Sequence, residues 1–385
     1  MALDMLRTQA RIRFDEHHAL SGGSWGLAMS MFSRSRNWCE ALKQSLKAEK
    51  SKLDPRRLTQ TSHKVFGPRS AQNPFANDIE WWKYWYRHVK NFTNGRASAL
   101  FAMPGPAKIF VHVAQLLKEG GDKNQAVNDC WFTNQPNDLQ CLFDPTKPKV
   151  AYASSGSTPV SYKTNTTLLN ALTYSSAAWS TLQAKVGVKH MFRQKCPRFR
   201  AAGLDIELTD GGDFMNLPLM SVVNEFHLRP QNTQVLAFDF TEPAAGPKYG
   251  NPPNYDVRYS IEQLTARSPF RGVHLTVIDK CQAKLVYRKG AHTLTIHILG
   301  FCGPARYSDG GGPETLIKKF RTLSGGLAAA GKIATGKGLA KQWNKAELHL
   351  YMTNYGAFLT ERLPRISTAQ LHVPRLNAPI LCNPY

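Results

Sequence analysis

Hydrophobic residues recur at near-helical spacing through the N-terminal part of the chain. The pattern over Ser24–Glu49 predicts one or two helices, and a further helix is predicted over residues 79–92 with Asp78 as its N-cap. The run Lys108–Glu119, KIFVHVAQLLKE, is also interpreted as a helix, within which His112 is expected to be packed and not a ligand. The first third of the chain is therefore predicted to be mainly helical.

The pattern changes to short extended runs after a stretch rich in proline, asparagine and aspartate at residues 135–148. Alternating apolar and polar residues predict a meander over Gly272–Ile278, Ala283–Tyr287 and His292–Leu299, with one apolar and one polar face. Further strands are predicted at Val150–Lys163, Gln234–Phe240, Tyr255–Ile261 and Ala346–Met352, and helices at Thr166–Leu182 and Pro313–Leu323.

These elements predict an α+β protein in which a helical N-terminal region packs with a larger mixed region built on an antiparallel sheet. Residues 1–145 form the helical region, with a basic flexible segment at 51–73, and residues 146–362 form the mixed region. Residues 363–385 are rich in proline and are predicted to form an extended arm. The arm either wraps its own domain or reaches a neighbouring subunit.

The predicted order after the meander is a helix, a basic glycine-rich loop and a returning strand, over residues 313–352. In topology this order is similar to the ferredoxin-like RNA-binding subunits of CRISPR effector complexes. The resemblance implies a ferredoxin-like or RRM-like arrangement for this part of the chain.

The charge balance is the most unusual feature of the composition. Among 385 residues, 49 Lys and Arg against 27 Asp and Glu give a net charge of +22. Such an excess favours a polyanionic partner. The sequence shows neither a long basic amphipathic helix nor a signal-peptide core, so we predict a nucleic-acid partner, no membrane partner and a cytoplasmic location.

Three basic stretches are the candidate nucleic-acid contacts: residues 317–345, residues 185–200 and residues 51–73. The first combines lysines with glycines, whose backbone N–H groups can approach phosphate closely, and it contains no acid. The predicted contact residues are Lys318, Lys319, Arg321, Lys332, Lys337, Lys341, Lys345, Lys189, Arg193, Lys195, Arg198, Arg200, Arg56 and Arg57. A solvated surface loop is the alternative interpretation of the first stretch.

Enzyme motifs are incomplete in this chain. Gly326–Lys332 and Gly331–Lys337 both have the spacing of a nucleotide-binding loop, but neither is followed by the Ser or Thr that holds Mg²⁺. His274-Leu-Thr276-Val resembles one half of the signature of two-histidine phosphoesterases, and the second half is missing.

Two acidic residues, Asp205 and Glu207, would point the same way from a strand and are an alternative site for a metal or for acid–base chemistry. The seven cysteines are odd in number and far apart, and they are interpreted as free thiols, with a zinc site from distant Cys and His as an alternative. We predict no catalytic residues, no cofactor and no metal.

The sequence thus predicts a non-catalytic nucleic-acid-binding subunit of a multi-subunit nucleoprotein assembly, with single-stranded RNA favoured over DNA. An RNA-guided effector complex and a viral or phage particle both fit, and other subunits of the assembly would be its protein partners. The alternatives are a nuclease or phosphodiesterase acting on RNA, and a scaffold or shell protein whose charge neutralises nucleic acid without specificity.

Overall fold

The fold is known from a computed structural model, which describes residues 1–32, 107–119, 123–147, 157–175, 198–201, 203–215, 217–239, 257, 261, 273–300, 345–366 and 371–377. Its helices are α1 (Ala2–Thr8), α2 (Ser21–Phe32), α3 (Leu168–Ser175), α4 (Met220–Leu228) and α5 (Lys345–Arg362). Its strands are β1 (Glu16–Leu20), β2 (Lys108–Glu119), β3 (Lys123–Thr133), β4 (Asp138–Cys141), β5 (Val160–Lys163), β6 (Arg198–Ala201), β7 (Leu204–Asp210), β8 (Thr233–Asp239), β9 (His274–Asp279), β10 (Gln282–Lys289) and β11 (His292–Gly300).

The larger sheet has seven strands and is built around β2. Its order is β5-β4-β3-β2-β7-β6, and β1 pairs with β2 beside β7. On one edge, β2 pairs antiparallel with β3 from Phe110 to Glu119. On the other edge, β1 runs parallel to residues 108–112 and β7 runs antiparallel to residues 113–116, so two strands meet end to end there.

The prediction of a helix at Lys108–Glu119 is wrong, because these residues form β2. Both faces of β2 are covered: Val111 and Val113 pack into one core, and Ala114 packs into another on the opposite face. A strand buried on both faces has a nearly continuous apolar run. Such a run lacks the alternation by which a strand is distinguished from a buried helix.

The smaller sheet has the order β8-β11-β10-β9 and confirms the predicted meander. Strands β9, β10 and β11 pair antiparallel, and Gly290, at a φ of 58°, begins the two-residue loop between β10 and β11. Strand β8 runs parallel to β11. The ferredoxin-like arrangement is not confirmed, since the sheet is mixed and its expected last strand lies in a helix.

Several predicted elements are corrected by the structure. The strand predicted at Ala346–Met352 lies within α5, and Val257 and Ile261, predicted to lie in a strand, are helical. The strands at Val150–Lys163 and Gln234–Phe240 and the helix at Thr166–Leu182 are confirmed in their described parts by β5, β8 and α3. The helices predicted at residues 79–92 and 313–323 lie outside the described residues.

The described residues combine helices with largely antiparallel sheets, as an α+β protein does. The helical N-terminal region is not confirmed, because the described part of residues 1–145 contains β1–β4 as well as α1 and α2. The domain limits remain a prediction, although the pairing of β4 with β5 joins strands on both sides of residue 145.

Three apolar cores connect the layers. The first lies between the seven-stranded sheet and helices α2 and α3. The second lies between the opposite face of that sheet, α4 and one face of the four-stranded sheet. The third lies between the other face of the four-stranded sheet, helices α1 and α5, and the C-terminal arm, where Val373 and Leu376 are buried. In its described part the arm therefore wraps its own chain, and the Asn377 N–H donates to the Gln9 side-chain oxygen at 2.8 Å.

The expectation of free thiols is wrong for the pair Cys130 and Cys141, which form a disulfide. The two residues lie directly opposite each other on β3 and β4 and are fully buried in the first core. Cys281 is also disulfide-bonded. The bonded state was not apparent from the sequence, because the partners are brought together by strand register and not by a cysteine motif.

Candidate nucleic-acid interface

The structure describes three of the predicted contact residues, Arg198, Arg200 and Lys345. The following lie outside the described residues: Lys318, Lys319, Arg321, Lys332, Lys337, Lys341, Lys189, Arg193, Lys195, Arg56 and Arg57. Arg198 is placed by the backbone of β6, and Lys345 by the first turn of α5. Arg200 is exposed at the end of the second basic stretch.

One member of the acidic pair, Asp205, forms an ion pair with the neighbouring strand. Arg200 lies opposite Asp205 in the β6–β7 register, and its Nε is 3.2 Å from the Asp205 Oδ2. Arg198 lies opposite Glu207 in the same register. Within the described residues, no group of three or more His, Cys, Asp or Glu side chains is arranged to hold a metal ion. The geometry therefore does not favour the alternative metal site at Asp205 and Glu207.

The described surface is more basic than the composition alone would indicate, because folding buries several acids. Several acids are buried, namely Asp129, Asp138, Asp210 and Asp239. The exposed acids of the described residues are Asp15, Glu16, Asp205 and Glu225. The exposed cations of the same residues are more numerous: Arg11, Arg13, Lys108, Lys147, Lys163, Arg200, Arg229, Lys280, Arg288, Lys289, Arg365 and Arg375.

A basic cluster lies at the turn end of the β10–β11 hairpin. We define the hairpin-end cluster as Arg229, Arg288, Lys289 and His292, all of which are exposed. Lys289 and His292 are paired across the turn, and the Lys289 Nζ donates to the His227 carbonyl at the end of α4. These contacts place the loop that carries Arg229 beside the hairpin.

The hairpin-end cluster has the chemistry of a phosphate-backbone contact. Guanidinium groups bind phosphate oxygens with two parallel hydrogen bonds, and exposed side chains pay little desolvation on meeting a solvated polyanion. Glu225 compensates Arg229 in part, at 3.6 Å. Arg288 and Lys289 are not among the contact residues predicted from the sequence, and the missed signal is a cationic pair next to Gly290 at a hairpin turn.

His274 and His297 do not form a two-histidine phosphoesterase site, and His349 lies in helix α5, not in a strand beside β9. His274 on β9 lies beside Val286, and His297 on β11 lies beside Lys284, so a strand separates the two histidines. Strand spacing and the offset in register put their Cα atoms roughly 12 Å apart. The predicted polar face of the meander is moreover covered at β11, where His297 is 4% exposed.

Burial of His297 predicts a loss of stability in acid. Burial, together with the smaller effect of the Lys284 charge, lowers the pKa of His297 to about 4. In the unfolded chain the ring titrates near its usual value of 6.5. Between these values the unfolded state binds a proton that the folded state excludes, so stability is full above about pH 6.5 and falls as the pH decreases toward 4.

We expect the His297 contribution to this loss to be about 2 kcal/mol. Urea unfolding of the wild type and His297→Gln at neutral and acidic pH would measure it, with the variant showing the shallower dependence. His292→Gln is the matched control, because His292 is exposed at the start of the same strand. Equal pH dependence of the wild type and His297→Gln would contradict the assignment.

Two further histidines form a hydrogen-bonded chain that begins at the buried Asp129 and ends at the exposed Glu16. The His112 Nδ1 lies 3.0 Å from the Asp129 Oδ1, and the His112 Nε2 lies 3.1 Å from the His18 Nδ1. The His18 Nε2 faces the Glu16 Oε2 at 3.5 Å, and the Ser221 Oγ is 3.4 Å from the His18 Nδ1. We call the first four of these residues, Asp129, His112, His18 and Glu16, the histidine chain.

Donor counting sets the tautomers of the histidine chain when both rings are neutral. The Asp129 carboxylate then accepts from the His112 Nδ1–H, and the His112 Nε2 accepts in turn from the His18 Nδ1–H. The His18 Nε2 carries a lone pair in this arrangement and faces the Glu16 carboxylate. Burial lowers the pKa of His18, and Glu16 opposes this effect. A proton added in acid would therefore be placed on the His18 Nε2, facing Glu16.

The histidine chain is not arranged as a catalytic triad. Ser221 and His112 both contact the His18 Nδ1, whereas a nucleophile and an orienting group must use opposite nitrogens of the ring. Ser221 is also 7% exposed. The chain instead links β1, β2 and β3 to α4 through polar contacts between two layers.

Sequence reasoning found one member of this chain and missed its partners. The expectation that His112 is packed is confirmed, since it is 1% exposed and hydrogen-bonded. His18 lies 94 residues away in sequence and Asp129 lies 17 residues away, and neither spacing forms a motif. The parallel pairing of β1 with β2 and the antiparallel pairing of β2 with β3 bring them together.

Comparison with models of protein families, with curated proteins and with solved structures finds no match to this chain. None of the helices in the described residues is both long enough and apolar enough to cross a membrane.

Proposed function

We propose that this protein is a non-catalytic nucleic-acid-binding subunit of a nucleoprotein assembly and that it binds single-stranded RNA in preference to DNA. The observation that carries the proposal is the net charge of +22 together with the excess of cations over acids on the described surface. A phosphate backbone relieves the self-repulsion of such a surface by neutralising it.

The hairpin-end cluster is the described part of the proposed interface. It projects Arg288 and Lys289 from a rigid antiparallel hairpin, and a second element contributes Arg229. The basic stretches at 51–73, 185–200 and 317–345 would extend the contact along the strand. Contacts of this kind position a backbone and carry little sequence information.

The test is a salt titration of RNA binding. We expect the affinity for a labelled oligouridylate to fall with increasing salt, with a slope that counts phosphate contacts. The double variant Arg288→Ala with Lys289→Ala should reduce that slope by about two units and weaken binding severalfold. Fluorescence anisotropy over a series of salt concentrations measures both quantities.

The matched control removes two other exposed cations, Lys147 in the turn that follows β4 and Lys163 at the end of β5. It should leave the slope unchanged. Equal effects of the two double variants would favour the scaffold or shell alternative, in which charge acts without a defined contact surface. A wild-type protein without salt-dependent binding would overturn the proposal.

An RNA-cleaving function receives less support. The described His274 and His297 are separated by a strand, and Asp205 is paired with Arg200.

The preference for RNA over DNA is tested by the same salt titration with an oligodeoxythymidylate of equal length. We expect the oligodeoxythymidylate to bind more weakly than the oligouridylate.

A further inference from the structure

Strand β9 is an outer strand of the four-stranded sheet and exposes apolar side chains. Within the described part of the chain it pairs with β10 on one side and with no strand on the other. The large hydrophobic side chains that stand exposed on the described surface are Leu275 at 39%, Val277 at 37% and Ile278 at 54%, and all three belong to β9.

An exposed outer strand is a template for pairing with another chain, and native proteins usually protect it with charges, proline or shortness. Strand β5, an outer strand of the seven-stranded sheet, is protected in this way because it has four residues and ends in Lys163. Residues 274–278 of β9 include no lysine, arginine or proline. The edge of β9 that pairs with no described strand is therefore suited to accept a strand.

A second copy of this chain is a poor occupant. Six residues span about 20 Å, and pairing two such edges buries far less than the roughly 1,000 Å² that a stable interface needs. Each copy also carries a net charge of +22, which opposes their approach. An arm that extends from a different subunit does not meet either objection, since its own interface can supply the remaining area.

The charges around β9 indicate the chemistry of that arm. His274, Lys280 and Lys284 lie on β9, on its turn and on the neighbouring strand. The acid of this strand, Asp279, is bound by Arg362 of α5 and offers little negative charge to a partner. The residual field at the edge is positive, and it favours carboxylates.

We propose that β9 accepts an extended segment of another protein subunit in which apolar residues alternate with acidic residues. The added strand would hydrogen-bond to the edge of β9 that pairs with no described strand. Its apolar side chains would lie on the same face of the sheet as Leu275 and Val277. Its carboxylates would lie on the face of His274 and Thr276, and Lys284 on β10 is the register partner of Thr276. This inference goes beyond RNA binding and does not depend on it.

The experiment uses the full-length chain and a fluorescein-labelled, N-acetylated peptide of alternating valine and glutamate. Binding is measured by anisotropy. We expect the peptide to bind about tenfold more tightly than its lysine-for-glutamate counterpart, because the charge at the edge is positive. A peptide methylated at the amide nitrogens of one edge should lose binding, because the β ladder cannot form.

Two substitutions locate the site. Val277→Glu and Ile278→Glu should each reduce binding of the glutamate peptide to the level of the lysine peptide, and circular dichroism would show that both variants stay folded. Lys163→Glu on β5 is the matched control, at an outer strand of the other sheet, and should leave binding unchanged.

Three results would overturn the inference: absence of binding, equal binding of the glutamate and lysine peptides, or undiminished binding of the methylated peptide. Competition by oligouridylate would also overturn it, because the cations beside β9 would then belong to an RNA surface. Loss of RNA binding in the hairpin-end variant with intact peptide binding would separate the two proposals.

Discussion

Replacing Gly211 by alanine is expected to lower the free energy of unfolding by about 3 kcal/mol. Gly211 follows β7 at the point where β1 and β7 meet on the edge of β2. A Cβ there would lie 2.8 Å from the His112 carbonyl oxygen, 3.0 Å from its carbon and 3.2 Å from the Leu20 Cβ. The first two atoms belong to the backbone of a central strand, which its neighbours on both edges hold in place.

Urea unfolding measures this effect as a shift of the midpoint at constant slope. Gly26→Ala provides a control of opposite sign, because Gly26 is exposed within α2 and its added Cβ would meet nothing within 4 Å. Alanine there should raise stability by about 0.5–1 kcal/mol through its helix propensity. If the two alanine variants were equally stable, the close contact at the β1–β2–β7 junction would be refuted.

Replacing Asp129 by alanine is expected to have the second large effect and to lower the free energy of unfolding by about 3 kcal/mol. The His112 Nδ1–H would lose its acceptor in a site where His112 is 1% exposed, so water cannot replace the carboxylate. The loss should also disturb the hydrogen bond between His112 and His18, because Asp129 fixes which nitrogen of His112 carries the proton.

A double-mutant cycle identifies the cause. Combining Asp129→Ala with His112→Ala should cost less than the sum of the single changes, since the donor left without a partner is then removed. Asp144→Ala is a comparison at a partly exposed carboxylate and should change stability by less than about 1 kcal/mol. Additive costs for Asp129 and His112 would show that the histidine chain does not act as a unit.

The candidate interface was only partly predictable from the sequence. The charge excess is visible in the sequence alone, and it predicts a polyanionic partner without knowledge of the fold. The position of the candidate contact surface could be found only from the structure. Arg229 and Lys289 are separated by sixty residues in the chain, and the contact of Lys289 with the His227 carbonyl brings their loops together.

The sequence by itself determined those elements whose two faces differ in polarity. The β9–β11 meander was identified because apolar and polar residues alternate along β9 and β11 and because the strands pair through short turns, although the polar face is covered at β11. The sequence did not determine β2 or α5. A run buried on both faces has no periodicity to read, and the assignment of Lys108–Glu119 as a strand depends on the neighbours that cover it.

Only the tertiary structure decided which distant side chains meet. His18, His112 and Asp129 form a chain because β1 and β3 flank β2 in a specific register, and Cys130 meets Cys141 for the same reason. Local residue patterns encode the preferences of a segment of chain, whereas strand register is set by the free energy of burying several segments together. Contacts across strands are therefore a property of the folded molecule.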